Sequence, residues 1–147
     1  MLKKKKKYDL VGSVEMAGFP ELHIPPIPAK VDTGADISVL HCDDIYELLG
    51  KNRRILCFRV TDSRRHIRSE EFFFRKFDRV RIRNSSGSIE KRYKIKTVIK
   101  IGSRKIRATF TLTDRSNMTF PVLVGCNILR KRYLVDVSKK YVQTGKS

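Results

Sequence analysis

The sequence predicts an all-β domain with a little helix, and three observations carry that prediction. The stretches RILCFRV (residues 54–60), EEFFFRKFDRVRIR (70–83), KRYKIKTVIKI (91–101) and KIRATFTLT (105–113) alternate apolar with Lys, Arg or other polar residues. That is the period of half-buried strands rich in β-branched and aromatic residues. Pro20, Pro25, Pro26 and Pro28 fall within nine residues, which excludes a helix there and favours an extended, turn-rich approach. Turn chemistry separates the apolar stretches, most clearly Asn84-Ser85-Ser86-Gly87-Ser88 between two long basic strands, a segment that reads as a hairpin tip.

The remaining elements follow in chain order. Residues 9–14 alternate and form a candidate first strand. Residues 29–31 read as a strand, 32–35 as a tight turn and 37–40 as a second apolar strand. Asp43 and Asp44 precede Ile45-Tyr46-Glu47-Leu48-Leu49 and Gly50, a pattern in which Asp caps a short helix and Gly ends it. Residues 114–121 form a polar loop before Pro121-Val122-Leu123-Val124-Gly125. Residues 127–132 then suit a short helix and 133–137 a final strand. At 147 residues the chain suits one domain, taken as residues 9–142, with a basic tail at 1–8 and a polar tail at 143–147.

Composition bounds the partners. Lys plus Arg number 33 against 15 Asp plus Glu, a formal charge of +18, and such an excess favours polyanions. Nucleic acid, anionic lipid and a Glu-rich peptide all satisfy the sign. The basic face of residues 75–105 reads equally as a solvated sheet surface or as a groove for a polyanion. The run Lys3 to Lys7 has no apolar segment behind it, so it does not read as a signal peptide. With no stretch of about 20 apolar residues, the expectation is a soluble, cytoplasmic protein. Cys42, Cys57 and Cys126 are odd in number and lack paired metal-type spacing, which suits reduced thiols. His23, His41 and His66 form no His-Glu-x-x-His run and no phosphate-binding glycine loop is present. No metal and no cofactor are expected, and His41 reads as a structural histidine.

The chemistry-bearing candidate is Asp32-Thr33-Gly34-Ala35. It combines an acid, a hydroxyl able to bond to backbone, a glycine that permits an unusual turn and a small residue. Ala29, Val31, Ile37, Val39 and Leu40 flank it with buried strand faces. Asp-Thr-Gly alone is also ordinary turn chemistry. The second apolar segment, Val122-Leu123-Val124-Gly125 followed by Asn127-Ile128-Leu129, resembles the strand and helix that pack behind the catalytic turn in retropepsins, and this resemblance shifts the reading toward catalysis.

AKVDTGADISVLH (29–41), SSGSIEKRY (85–93), TLTDRSNMTFPVLVG (111–125) and VDVSKKY (135–141) together resemble a bacterial retropepsin-like family often labelled "ATP-dependent zinc protease". The resemblance covers residues 11–141. It implies a retropepsin-like closed acid-protease barrel with one or two short helices and Asp32 as the catalytic aspartate. An aspartic peptidase needs two carboxylates sharing a proton, and only one Asp-Thr-Gly is present, so the resemblance implies a homodimer. Thr33 would brace the two turns and Gly34 would permit them. Ala35, Asp36, Ser86 and Gly87 would line the substrate or flap, and Asp114, Arg115 and Gly125 would support the site. Asp114 and Arg115 are expected to pair, with Met118 and Phe120 packing beneath that loop.

The implied substrate is a peptide or protein. Members of the family are often associated with ligases that add glutamate, so acidic tails are a candidate class. One departure stands out: retropepsins commonly carry Arg after the second-motif glycine, opposite an acid beyond the catalytic turn, and here that place is Cys126 while Asp36 keeps the acid. Arg115, Arg130 or solvent are the alternative partners for Asp36. A catalytically silent polyanion-binding barrel and a monomeric interaction module are the competing functional readings.

Overall fold

The computed structural model describes residues 7–83, 86–114 and 119–144. Twelve strands run β1 (Asp9–Val11), β2 (Val14–Phe19), β3 (Ile24–Val31), β4 (Ser38–Gly50), β5 (Arg53–Asp62), β6 (Ile67–Arg68), β7 (Phe72–Phe74), β8 (Asp78–Arg83), β9 (Ile89–Ile101), β10 (Arg104–Thr113), β11 (Val122–Val124) and β12 (Tyr133–Val135). One α-helix, α1 (Cys126–Leu129), and a 3-10 turn at Ser63–Arg65 complete the described chain. The all-β prediction with one or two short helices holds.

Six strands close on themselves. The neighbour order β10-β9-β2-β3-β11-β4 returns to β10 through a parallel β10–β4 pairing, so each barrel strand has two partners and no edge is left for another chain to extend. Leu40, Ile27, Phe19, Phe110, Ile95, Ile99, Val122 and Val124 fill its interior. Phe19 meets Phe110 edge-on at 5.7 Å between ring centroids, a geometry aromatic quadrupoles favour. The Lys and Arg positions of β9 alternate with these, as the period-2 reading requires.

The connectivity that matters lies between β3 and β4. They are consecutive in sequence but do not pair. β11 enters between them, parallel to β3 with Val124 opposite Val31, and antiparallel to β4 with Val122 opposite Leu40. Three strand ends, at Val31, Ser38 and Val124, thereby meet at one end of the barrel.

Three local predictions are corrected or sharpened. The helix expected at residues 45–50 is strand: β4 runs through to Gly50 and pairs with β5. Asp44 does not cap a helix; it takes a left-handed conformation (φ 53°) in a bulge between Asp43 and Tyr46. Period-2 burial of Ile45, Tyr46, Glu47 and Leu48, stabilised by cross-strand partners, overrides a helix-cap signal that is local and weak. Pro25, Pro26 and Pro28 lie inside β3, which tolerates them because its other neighbour, β11, pairs only with residues 29–31 and β3 itself bulges at Pro25 and Pro26, two residues facing Gly18 of β2. The first predicted strand divides at Gly12-Ser13, where a Cβ on Gly12 would lie 2.3 Å from the Lys139 carbonyl oxygen.

β1 and β12 form a separate parallel pair that ties the two ends of the chain together. Glu15 does so as well. Its fully buried carboxylate accepts hydrogen bonds from the backbone N–H groups of Gly12 (2.8 Å), Val142 (2.9 Å) and Gln143 (2.8 Å). Gln143 in turn donates from Nε2 to the Leu10 carbonyl at 2.7 Å. A buried carboxylate with three N–H donors stabilises only while all of them are met. Glu15→Ala should cost about 3 kcal/mol, read as a fall in urea midpoint with unchanged slope. Glu15→Gln should lose part of that, because its amide NH₂ would face donors.

Candidate active site

Asp32 stands where β3 ends. Its N–H donates to the Val124 carbonyl (2.9 Å), the last bond of the β3–β11 ladder, and its own carbonyl accepts from Ala35 N–H (3.2 Å). The side chain turns back on the loop, with Oδ1 accepting the Gly34 N–H at 2.9 Å. This leaves Oδ2 free of bonds among the described residues, on a half-buried side chain. Thr33 and Gly34 are exposed, and the Thr33 hydroxyl makes no hydrogen bond within the described chain.

The turn is held from behind by β11 and α1. Cys126 N–H donates to the Ala35 carbonyl (2.7 Å) and Asn127 N–H to the Asp36 carbonyl (3.0 Å). Gly125 comes so close that a Cβ there would lie 2.6 Å from the Ala35 oxygen and 3.2 Å from Ser38 N. Glycine is required at this position by close approach and not by backbone angle, since its φ is −95°. Ser38, fully buried, donates its hydroxyl to Asn127 Oδ1 (2.7 Å) and accepts the Gly125 N–H (2.9 Å). Asn127 Oδ1 also takes the Ser38 N–H (2.9 Å), while Nδ2 reaches the Thr109 carbonyl on β10 (2.9 Å). The Ser38 N–H and O–H and the Gly125 N–H all find acceptors within this knot.

The predicted support residue Gly125 is therefore in contact with the turn. Ala35 contributes its carbonyl. The Asp36 side chain is exposed and has no ion-pair partner among the described residues, so Arg130 does not pair with it; Arg115 and Met118 lie outside the described residues. Cys126, in the place of the expected Arg, donates its S–H to the Thr33 carbonyl at 3.2 Å. Asp114 is exposed at the end of β10. Gly87, with φ 86°, and the Ser86 hydroxyl, 3.3 Å from that of Ser88, sit at the tip of the β8–β9 hairpin; Asn84 and Ser85 lie outside the described residues. His41 is buried on β4, with Nε2 3.9 Å from the Asp43 carboxylate. Among the described residues no three His, Cys, Asp or Glu side chains converge on a metal-sized site. A surface cleft of 710 Å³ between Phe74, Phe77, Lys94 and Arg107 does not include Asp32.

Sequence reading missed Ser38, Asn127 and Glu47. Ser38 sat in the middle of an apolar segment, a position where a small polar residue is buried only with partners. Glu47, on the stretch read as helix, joins the two long hairpins. Its carboxylate accepts from Arg79 Nε on β8 (3.0 Å), and from Lys91 Nζ (3.0 Å) and Tyr93 O–H (2.8 Å) on β9. The Arg79 guanidinium, with Tyr93 and Lys91, outweighs burial and holds the Glu47 carboxyl well below the usual carboxylate range. Cys42, by contrast, has its thiol pushed up by burial, with Asp43 and Asp114 adding to the effect.

Comparison with known proteins agrees with this architecture. Residues 10–146 match the family model described as RimB-like, retropepsin-like aspartic endopeptidase RimB. A crystal structure of a Legionella pneumophila protein of unknown function superposes with a TM-score of 0.73 at 26% identity, covering 92% of this chain and 98% of that one. Two curated relatives named "Probable alpha-L-glutamate ligase" match as well. The one from Shewanella halifaxensis is 34% identical over 135 residues, 90% of this chain. The one from Desulfotalea psychrophila is 33% identical over 131 residues, 86% of this chain. This chain spans only 29% and 28% of those relatives' lengths.

The closed barrel and the paired turn thus define a retropepsin-like domain. The chain belongs to the RimB-like family. The "zinc protease" label suggested by the sequence is replaced by this one, and the matching relatives carry a ligase name instead.

Two outcomes follow for the site. Ser38→Ala leaves the Gly125 N–H buried without an acceptor and should cost about 1–3 kcal/mol, with Asn127→Ala similar; a double variant should cost less than the sum, since both belong to one knot. Thermal unfolding of the three variants measures it. For Glu47 the folded carboxyl is lowered, so its stabilisation is full above the unfolded value of about 4.5 and is lost as pH falls below it. The stability gap between wild type and Glu47→Gln should be widest near neutrality and shrink from pH 4.5 downward in denaturant titrations.

Proposed function

We propose that the protein is an aspartic peptidase, active as a homodimer in which each chain supplies Asp32. What carries this reading is the Asp32 turn: an aspartate at the end of a barrel strand, bonded on one oxygen to its own loop and clamped from behind by Gly125, Ser38 and Asn127.

Two such carboxylates brought together across a twofold axis share one proton. The ionised one takes a proton from water as the water oxygen attacks the peptide carbonyl carbon; the protonated one gives its proton to the carbonyl oxygen. Collapse of the tetrahedral diol breaks the C–N bond: the nitrogen leaves as an amine after taking the proton held by the first carboxylate, while one diol hydroxyl returns its proton to the second carboxylate as the new acid carbonyl forms. No charge is created in the pair as a whole, which suits a dyad without a fixed counter-ion. Thr33, exposed on the open side of the turn, would meet its twin across that axis. The Ser86-Gly87 hairpin would close over substrate and exclude water.

The substrate class we favour is acidic polypeptide, including glutamate-rich tails. Its support is the +18 charge and the ligase name of relatives in which this domain makes up under a third of the chain. A glutamate-adding ligase is accordingly the partner activity we assign.

Asp32→Asn should retain the fold while lowering cleavage by at least about 1,000-fold, assayed on polyglutamylated protein and a mixed peptide library from acidic to neutral pH. At low enzyme concentration the wild-type rate should rise with the square of chain concentration, because the active species is assembled from two. Full activity in the Asn variant, or a strictly first-order dependence in a chain that sediments as monomer, would sink the reading.

A further inference from the structure

The two long hairpins, β4–β5 and β8–β9, face each other across a 310 Å³ cleft lined by Glu47, Arg54, Arg79, Arg81 and Lys91. Four cations meet one carboxylate. Glu47 fixes Arg79 and Lys91 by ion pairing, which orders the cationic wall in advance. Arg54 and Arg81 are exposed and have no acidic partner among the described residues. We propose that this cleft is a binding site for the phosphodiester backbone of single-stranded nucleic acid, separate from the peptidase centre.

The register builds the cleft. Arg79, Arg81 and Arg83 occupy alternate positions of β8 and so share one face of the hairpin, opposite Tyr93, Lys91 and Ile89 of β9. Their spacing along the strand, about 6.8 Å per two residues, is of the scale that separates successive phosphates of an extended strand. On the facing hairpin, Glu47, Leu49 and Arg54 share one face, with Leu49 opposite Arg54. Leu49 and Ile89, 74% and 60% exposed at the two hairpin ends, flank the cations with apolar surface.

Two features point to nucleic acid. Arginine supplies three of the four cations, and its planar fork matches two phosphate oxygens at once and can lie against a base. A net charge of +18 attracts a partner with a dense line of negative charge. The cleft is also remote along the chain path from the catalytic turn: Glu47 lies nine residues up β4 from Ser38, about 25–30 Å of strand, beyond the reach of side chains adjoining a scissile bond. A further cationic cleft, beside α1, is less available. There Arg132 is bonded to the Asn127 and Ile128 carbonyls and Arg104 is paired with Asp9.

The test is fluorescence anisotropy of full-length protein with labelled oligo(U), over a range of salt. Parallel arms use oligo(dT), an RNA duplex and a polyglutamate peptide. Arg54→Gln/Arg81→Gln should weaken oligo(U) binding at least 10-fold at 100 mM salt. It should also reduce the log–log salt slope by about 1.4, the value for two lost phosphate contacts at roughly 0.7 each. Lys100→Gln/Lys105→Gln, which removes the same charge from an adjacent cross-strand pair elsewhere on the barrel, should change affinity less than 3-fold.

Equal losses in the two variants would mean a diffuse field and overturn the proposal. So would oligo(U) and oligo(dT) both failing to bind at low salt, the duplex binding more tightly than either, or the cleft variant losing only polyglutamate affinity, which would mark it as a subsite for acidic polypeptide. Asp32→Asn should bind oligo(U) as wild type does, so the outcome is independent of whether the chain is a peptidase.

Discussion

The placement of the Asp32 turn depends on one contact, the approach of Gly125 to the Ala35 carbonyl and Ser38 amide. β3 and β4 are neighbours in sequence, and an ordinary hairpin would have paired them. Such a hairpin would have buried Asp32 in a plain turn at its tip. Separation by β11 instead splays the two strand ends and leaves the turn spanning a third strand. The Asp32 N–H then finds its acceptor on Val124, and the turn's carbonyls find their donors on Cys126 and Asn127. Any side chain at 125 would push β11 away and unmake all of these bonds together.

Ser38 and Asn127 convert that close approach into a fixed geometry. Splaying two strands around a third leaves backbone groups without ladder partners, and a buried unmet N–H costs about as much as the fold can spare at one point. Ser38 Oγ takes the Gly125 N–H, and Asn127 Oδ1 takes both donors of Ser38. Asn127 Nδ2 then anchors the knot on the Thr109 carbonyl of β10. Two short polar side chains thus link four elements, β4, β10, β11 and α1. The rigidity of the half-site comes from this satisfied network, since Asp32 itself makes one side-chain bond, to its own loop.

Much of this was legible in the sequence, because much of it is periodic or local. The alternation of residues 91–101 and 105–113 identified β9 and β10, and the small-residue turn at 32–35 lies where expected. Residues 45–50 were misread because a cap signal speaks only of a few neighbouring residues, whereas the strand is stabilised by partners in β5. Ser38, Asn127 and Glu15 were missed for a related reason. A polar residue's role in the core is defined by what it faces across the sheet, and Asn127 stands 89 positions from Ser38. The Asp36 departure had a plain structural resolution on one side only: Cys126 is too short to reach an acid, and spends its donor on the Thr33 carbonyl.

The same separation between local and non-local information explains where the charge sits. Lys and Arg occupy the outward positions of strands whose inward positions fill the barrel, so a strongly basic sequence is compatible with an uninterrupted core. What the composition could not reveal is that carboxylates gather some of these cations. Glu47 draws Arg79, Lys91 and Tyr93 from one hairpin onto the other, and Glu21 holds Arg107 against β9 through Thr97 and Val98. An acid so placed does more than neutralise. By fixing the position of two cations it leaves their unpaired neighbours, Arg54 and Arg81, projecting into a shaped cleft, and a shaped array of charge can discriminate among polyanions in a way that net charge alone cannot.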